Sequence, residues 1–422
     1  MVAFKNSTTK LLTLYGIFQL ISPVMAASLQ QNSSNISESL YLLLRPRWEY
    51  VDVKDDGLSA ANAGTVRAQL GFKISKNPFS FYIENTLVAA FYDHYAPLSS
   101  GYETVADEPR DRITQLWVAY TSKLADVKIG RQVINLDNQR FVGAVNWRQT
   151  PQTFDAARAD LKIPNIPFKP VLTLAYICDR QGVLSSLTTY RICGYAPLSY
   201  SFLGHLSLKL PFNSAGALYG YHFRNFADAY GANLHGNVKV KGIPLGVDYW
   251  LEYAHEIVHN KVKNLYGTAN YFHIKLGTAF NTQVGTPFIN LGYERLGKYF
   301  VTPLATLHAF NGWADVFLKY TAVSNTYGLN DYYFTLGYKH KVYGKAMAVF
   351  HKFTSTKDFP NGGNKFGNEI DLLYTKNLAK NLNLTLKFAK YNADSDAKSV
   401  GIGDKDTTKA WIMLTYKFGA TF

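Results

Sequence analysis

Two stretches of the sequence concentrate side chains that could bind a charged solute. The first, residues 130–155, carries Arg131, Arg140 and Arg148 among polar and aromatic residues. The second, residues 303–331, carries the run His308-Ala309-Phe310-Asn311-Gly312-Trp313-Ala314-Asp315. An arginine guanidinium can bind a carboxylate through two parallel hydrogen bonds, so the first stretch favours recognition of anions.

The same residues do not indicate catalysis. Hydrolysis or acyl transfer needs a nucleophile beside a base, but the ten histidines are dispersed and no Gly-x-Ser-x-Gly turn occurs. His255 and His259 lie four residues apart, but their segment reads as strand end and loop, whereas the zinc-protease motif needs a helix. We therefore expect no enzymatic activity, no cofactor and no metal site.

The composition is typical of a protein with an apolar outer surface and a water-filled interior. Tyrosine (30) and phenylalanine (27) are abundant, and charged residues make up only 18%. The net charge of +14 favours anionic partners such as lipopolysaccharide or an anionic solute. The basic residues are scattered and form no patch, which argues against nucleic acid as a partner.

Residues 1–26 are predicted to be a secretory signal peptide. Lys5 and Lys10 precede the apolar run 11–21, and Ala26 ends a stretch of small or apolar residues. The alternative, a membrane anchor, would need about 20 apolar residues. We expect residues 27–422 to form a single domain.

The rest of the chain alternates with a period of two, as β-strands with one apolar face do. In one example, Leu382, Leu384, Leu386 and Phe388 alternate with polar residues. Eight short breaks and nine long ones separate these runs, which predicts eighteen strands, with the segment 313–320 inside a long loop. Regular short and long connections favour an all-β, antiparallel transmembrane barrel over a soluble sandwich.

The last predicted strand indicates the compartment. Its apolar face alternates from Ile412 to Phe418, and the chain ends on Phe422. This pattern resembles the C-terminal assembly signal of outer-membrane barrels, and a soluble edge strand of this kind would be exposed and sticky. We therefore expect a bacterial outer-membrane location, contacts with membrane lipid and lipopolysaccharide, and assembly by the barrel assembly machinery through Phe422.

The two cysteines, Cys178 and Cys193, flank the long break 179–199. In an oxidising compartment this spacing favours a disulfide that closes the loop. Two unrelated thiols are the alternative.

The two motif-rich stretches, together with Leu251-Glu252-Tyr253-Ala254, resemble the alginate-export family of outer-membrane proteins. The resemblance implies a monomeric 18-stranded barrel that exports an anionic polysaccharide through an arginine-rich lumen with inserted loops. Arg131, Arg148 and Arg158 match or lie beside the basic motif positions of the family. The resemblance also marks a loop motif of His308, Phe310, Asn311, Gly312, Trp313 and Asp315.

Strand parity predicts which charges face the lumen, because a charged side chain facing lipid costs about 2–4 kcal/mol at the bilayer midplane. The predicted lumen acids are Glu84, Asp248, Glu252, Asp331, Glu369 and Asp371. Parity predicts the basic pore-lining residues Arg45, Arg47, Arg67, Lys128, Arg224, Lys239 and Lys275, and the motif-rich stretches with their resemblance add Arg131, Arg140, Arg148 and Arg158 as pore-lining or solute-binding residues. Loops 133–151 and 294–328 are the expected constriction elements.

These observations predict a channel for polar or anionic solutes, with an anionic polysaccharide or its oligomers among the candidates. Two alternatives stay open: a general diffusion porin, and a loop-plugged barrel that acts as a scaffold or adhesin. The lumen charges have an alternative role too, in which they pair across the wall and stiffen the barrel.

Overall fold

The computed structural model describes residues 36–187, 198–239 and 245–421, which form eighteen β-strands. The strands are β1 (Ile36–Val53), β2 (Ala61–Lys76), β3 (Phe79–His94), β4 (Arg110–Thr121), β5 (Ala125–Gln132), β6 (Thr153–Lys162), β7 (Val171–Gln181), β8 (Ser201–Leu210), β9 (Ser214–Phe223), β10 (Ala227–Lys239), β11 (Leu245–Asn260), β12 (Leu265–Phe280), β13 (Thr286–Leu296), β14 (Leu329–His340), β15 (Gly344–Thr354), β16 (Lys365–Ala379), β17 (Leu382–Ala393) and β18 (Thr407–Thr421).

Each strand pairs antiparallel with the next, and the sheet closes on itself. β1 pairs with both β2 and β18, with Leu40 opposite Ala420 and Val53 opposite Thr407 in the closing seam. Closure leaves no unpaired strand edge, which a membrane-spanning sheet requires. The predicted 18-stranded antiparallel barrel is therefore confirmed.

The connections alternate in length as predicted, with two exceptions. The breaks at 225–231 and 257–267 were expected to be long loops, but β9–β10 and β11–β12 join through the short turns 224–226 and 261–264. Asn225 and Asn264 adopt left-handed backbone conformations there, with φ of 64° and 54°. Asparagine tolerates this conformation, so the strands continue almost to the hairpin tips.

The outer wall of the barrel is apolar. Leu116, Val118, Leu276, Leu336 and Ile412 are between 42% and 55% exposed, on strands distributed around the barrel. A soluble monomer rarely exposes so continuous an apolar surface. This surface is the lipid-facing belt of a transmembrane barrel.

The hydrophobic core lies inside the barrel, where two long connections fold into the lumen. We call residues 133–152 inner loop 1 and residues 297–328 inner loop 2. The two loops pair at Val142 and Leu304, and the Gly143 amide donates to the Leu304 carbonyl at 2.9 Å. Phe141 and Phe300 pack on inward-facing tyrosines of the wall, including Tyr271. The abundant aromatic residues therefore lie on both the lipid-facing and the lumen-facing side of the wall.

Four short helical segments interrupt the described connections: Ser185–Leu187, Leu307–Ala309, Tyr320–Ser324 and Ser395–Ser399. Among the described residues, no helix is long and apolar enough to span a membrane. The predicted signal peptide and Phe422 lie outside the described residues. Cys178 is disulfide-bonded, and the other cysteine of the chain, Cys193, lies outside them as well.

Candidate functional site: the lumen and its two inner loops

Arg45 on β1 anchors inner loop 1 to the wall. Its guanidinium donates to Gln149 Oε1 at 2.9 Å, to the Asn146 carbonyl at 2.9 Å and to the Arg148 carbonyl at 2.5 Å. Gln149 in turn donates to the Arg45 carbonyl and to Thr65 Oγ1. Arginine carries several donors in a fixed plane, which suits it to hold a loop backbone in one orientation.

A network of alternating charges surrounds this anchor. Arg47 contacts both Glu49 and Asp107, and Arg148 donates to the two Glu49 oxygens at 3.0 and 3.1 Å. Arg148 also lies 3.4 Å from Asp315 of inner loop 2. Burial lowers the pKa of Arg148, but Glu49, Asp107 and Asp315 raise it well above its ordinary value, so the cation persists.

Asp315 connects inner loop 2 to the same network. It accepts a hydrogen bond from His308 Nδ1 at 2.7 Å and lies 3.0 Å from Lys409 Nζ on β18. Burial alone would raise the pKa of Asp315, but His308, Lys409 and Arg148 hold it well below its ordinary value. Burial lowers the pKa of His308 to about 3, so this ring is neutral at pH 7.

Neutral His308 has a defined tautomer. Its Nδ1–H donates to Asp315, so Nε2 is free to accept from Lys387 Nζ, which lies 2.7 Å away on β17. The Lys387 ammonium also lies 3.7 Å from the ring centroid of Trp313 and 4.2 Å from that of Trp147. Aromatic faces attract a desolvated cation, so both inner loops hold this lysine in place.

The Asn311–Ala314 turn of inner loop 2 binds a row of wall acids. The Trp313 amide donates to Asp371 at 3.1 Å, and the Ala314 amide donates to Glu369 at 2.7 Å. Gly312 has a φ of +82°, and a Cβ at this position would meet Glu369 Oε2 at 2.3 Å. Only glycine fits here, which explains the Asn-Gly-Trp order of the motif.

Arg140 completes the packing between the two loops. It forms an ion pair with Glu294 of β13 at 2.8 Å and donates to Asn311 Oδ1 at 2.9 Å. Its guanidinium carbon lies 4.7 Å from the centroid of the Phe310 ring. The side chain is fully buried, so Arg140 cannot meet a solute in this arrangement.

In the structure, the residues of the predicted loop motif anchor inner loop 2 to the barrel wall and to inner loop 1. His308, Phe310, Asn311, Gly312, Trp313 and Asp315 contact the wall or inner loop 1. Arg47, Arg140 and Arg148 are paired with acids, as in the alternative role for the lumen charges. Asp107 and Lys409 were not among the predicted site residues, because partners so far apart in the chain leave no local pattern.

Two of the predicted lumen arginines form no ion pair with the acids that the structure describes. Among the described residues, neither Arg45 nor Arg67 forms an ion pair: Arg45 donates to neutral groups of inner loop 1, and Arg67 donates to Gln69 at 2.6 Å. The Nε of Arg67 is buried without a hydrogen-bond partner. Both side chains border a cavity of about 710 Å³ beneath inner loop 1, which Lys417 also lines.

The other predicted lumen cations lie nearer the periplasmic end. Lys128 sits over the Trp117 ring at 4.3 Å, and Arg158 pairs with Asp160 at 2.9 Å. Lys275 lies on the inward face of β12 beside the buried His273, and Lys239 is exposed at the end of β10. Asp160 neutralises the charge of Arg158.

Arg131 and Arg224 are not in the lumen. Arg131 shares its face with the exposed Ile129 and lies opposite the exposed Leu116, so it lies on the outer wall, where it pairs with Asp155 at 2.7 Å. Lys128 is three residues away and faces inward, so strand parity itself requires Arg131 to face outward. Arg224 is exposed in the short turn 224–226, with its guanidinium over the Tyr200 ring.

The comparisons with known proteins agree with this architecture. Residues 51–173 match the model of the Alginate export family. The resemblance seen in the sequence is therefore confirmed over the first motif-rich stretch, whereas the stretch 303–331 lies beyond the matched residues. No curated protein matches the sequence.

Proteins of two bacteria are among the solved structures that share this fold. Acinetobacter baumannii OccAB4 is 11% identical, with 92% of this chain and 99% of that chain covered and a TM-score of 0.68. Pseudomonas aeruginosa OccK9 (OpdG) is 14% identical, with 91% and 98% covered and a TM-score of 0.67. Pseudomonas aeruginosa OpdK, solved with vanillate, is 11% identical, with 91% and 99% covered and a TM-score of 0.63. The closed barrel and its apolar belt make this chain a porin-like barrel of the bacterial outer membrane.

Proposed function

We propose that the barrel is a channel for small anionic solutes, with carboxylates as the preferred class. The observation that carries this proposal is the pair Arg45 and Arg67, which lines the lumen cavity without an acidic partner among the described residues. Two neighbouring guanidinium groups in a partly desolvated site attract an anion strongly. Lys380 and Lys417 add two further positive charges to the same cavity, and Glu84 adds one negative charge.

The distribution of charge around the wall supports this proposal. Six buried wall acids lie on β11 to β16, and this set comprises Glu252, Glu256, Glu294, Asp331, Glu369 and Asp371. Four more lie on β1, β3, β6 and β7, and of these Glu49 and Asp155 are ion-paired with arginines, whereas Glu84 and Asp179 form no ion pair within the described part of the chain. The cavity beside β1, β2 and β18 has a basic excess, because Arg45, Arg67, Lys380 and Lys417 line it and Glu84 is the acid among its lining residues. This local basic excess draws anions toward that side of the lumen.

The inner loops favour small solutes over a polymer. They fill the lumen between the wall tyrosines and the acidic strands, and the cavity beside Arg45 and Arg67 measures about 710 Å³. Sites that hold a small ligand have volumes of this order. Vanillate, the compound solved with the structurally similar OpdK, is a small carboxylate.

The test is flux into liposomes that contain the refolded full-length protein. We expect acetate and gluconate to enter faster than cations of equal size, and Arg67→Gln to reduce anion flux about fivefold. This corresponds to the loss of about 1 kcal/mol, the attraction between unit charges ~5 Å apart in a water-filled lumen. Arg224→Gln removes the same charge from the exterior and is the matched control.

The outcomes separate the candidate functions. Equal fluxes of anions and cations of one size would identify a general diffusion porin. Block of the anion flux by long uronate oligomers, with passage of short ones, would extend the substrate class toward polysaccharides. No flux of any solute would contradict the proposal and favour a plugged barrel.

A further inference from the structure

Three potential metal ligands meet on the outer wall, far from the lumen. His222 on β9, Asp228 on β10 and His259 on β11 lie beside the turn 224–226, at the end of the barrel that carries the long loops. His222 lies directly opposite Asp228 in the strand register. The adjacent Phe223 and Val258 are buried in the core, so the three side chains face outward.

The Asp228 carboxylate lies between the two imidazole rings. Oδ1 is 2.6 Å from His222 Nδ1, and Oδ2 is 3.4 Å from His259 Nε2. The ligand atoms of the three residues all lie within 4.8 Å of one another. The side chains of His222, Asp228 and His259 are 42%, 29% and 27% exposed, so their outward side is accessible.

This set has the chemistry and nearly the dimensions of a zinc site. Zn²⁺ binds imidazole nitrogen and carboxylate oxygen at about 2.0–2.2 Å, which places two tetrahedral ligands ~3.4 Å apart. The separation of Asp228 from His259 already has this value, and that of His222 from Asp228 must widen by less than 1 Å. Three protein ligands and an accessible fourth position are typical of zinc with one water ligand.

We propose that His222, Asp228 and His259 bind one Zn²⁺ ion at the outer rim of the barrel. The ion joins three neighbouring strands beside short hairpin turns, and its remaining position faces the solvent above the membrane. His255, four residues before His259 on the same strand, is hydrogen-bonded to Asn270 and is not part of the cluster.

The test is titration of the refolded full-length protein in detergent with Zn²⁺ by calorimetry and with Co²⁺ by visible absorption. We expect one saturable site per chain with a Co²⁺ spectrum of intense bands, as low coordination numbers give. His259→Ala and Asp228→Asn should each weaken Zn²⁺ binding at least tenfold. His255→Ala removes a histidine from the same strand and face, and it should bind Zn²⁺ like the unchanged protein.

Asp228→Asn retains a polar side chain between the rings, so it keeps the test valid if His259→Ala fails to fold. Circular dichroism checks that each variant retains its strands. Unchanged Zn²⁺ affinity in Asp228→Asn and His259→Ala, or no saturable binding in the unchanged protein, would overturn the proposal and leave a hydrogen-bonded triad.

Discussion

Replacement of Arg148 by glutamine should release the inner loops from the wall. Arg148 is buried and lies within 3.4 Å of Glu49 and Asp315 and 3.9 Å from Asp107. Removal of one member of a buried ion pair typically costs 3–5 kcal/mol. Arg47 remains beside Glu49 and Lys409 beside Asp315, so we expect the lower end, about 3 kcal/mol. The docked state of the loops then becomes about a hundredfold less favoured.

Trypsin reports this change directly, because Arg140 of inner loop 1 is fully buried and offers a cleavage site only when the loop leaves the lumen. We expect Arg148→Gln to be cut after Arg140 and to show a larger single-channel conductance. Arg158→Gln is the matched control, since Arg158 pairs only with a partly exposed Asp160. Addition of Glu49→Gln should restore part of the protection, because it removes the excess negative charge that loss of Arg148 leaves in the network.

Persistent trypsin resistance at Arg140, combined with unchanged conductance in Arg148→Gln, would refute the reasoning. It would mean that apolar packing alone holds the loops in the lumen.

Two further predictions concern a glycine and a carboxylate pair. Gly312→Ala should loosen inner loop 2 and raise conductance, because its Cβ meets Glu369, whereas Gly362→Ala, with a similar φ of +80° and nothing within 4 Å, should conduct normally. Burial and a hydrogen bond with Asp56 raise the pKa of Glu103 to about 7. The protonated carboxyl of Glu103 stabilises the contact between loops 54–60 and 95–109. The stability of this contact is therefore greatest below pH 4.5. It falls by about 1 kcal/mol as the pH rises to 7, after allowance for solvent screening. Hydrogen exchange of loop 95–109 should show this trend, and Glu103→Gln should abolish it.

The strands were predictable because their signal is local. Each strand alternates within about ten residues, and closure of the barrel follows once the connections alternate in length. The exceptions are the turns at Asn225 and Asn264, where a left-handed asparagine makes a tight hairpin from a segment whose polar residues suggest a loop.

The interior was less predictable because its contacts join distant segments. Arg45 and Gln149 are 104 positions apart, and Arg140 and Asn311 are 171 apart, so no periodic pattern records them. The motif resemblance pointed to the two loops that enter the lumen, but it did not show that their motif residues bind the barrel wall. That role depends on which acidic residues the wall strands place opposite the loops. The error at Arg131 was avoidable, since Lys128 had already fixed the parity of β5.

The most direct test of the proposed channel is the reversal potential of the refolded protein in a planar bilayer under a KCl gradient. If Arg45 and Arg67 attract the permeating ion, the reversal potential has the sign of chloride selectivity, and Arg67→Gln shifts it toward zero while Arg224→Gln leaves it unchanged. A potassium-selective reversal potential, or one that Arg67→Gln does not move, would contradict the account.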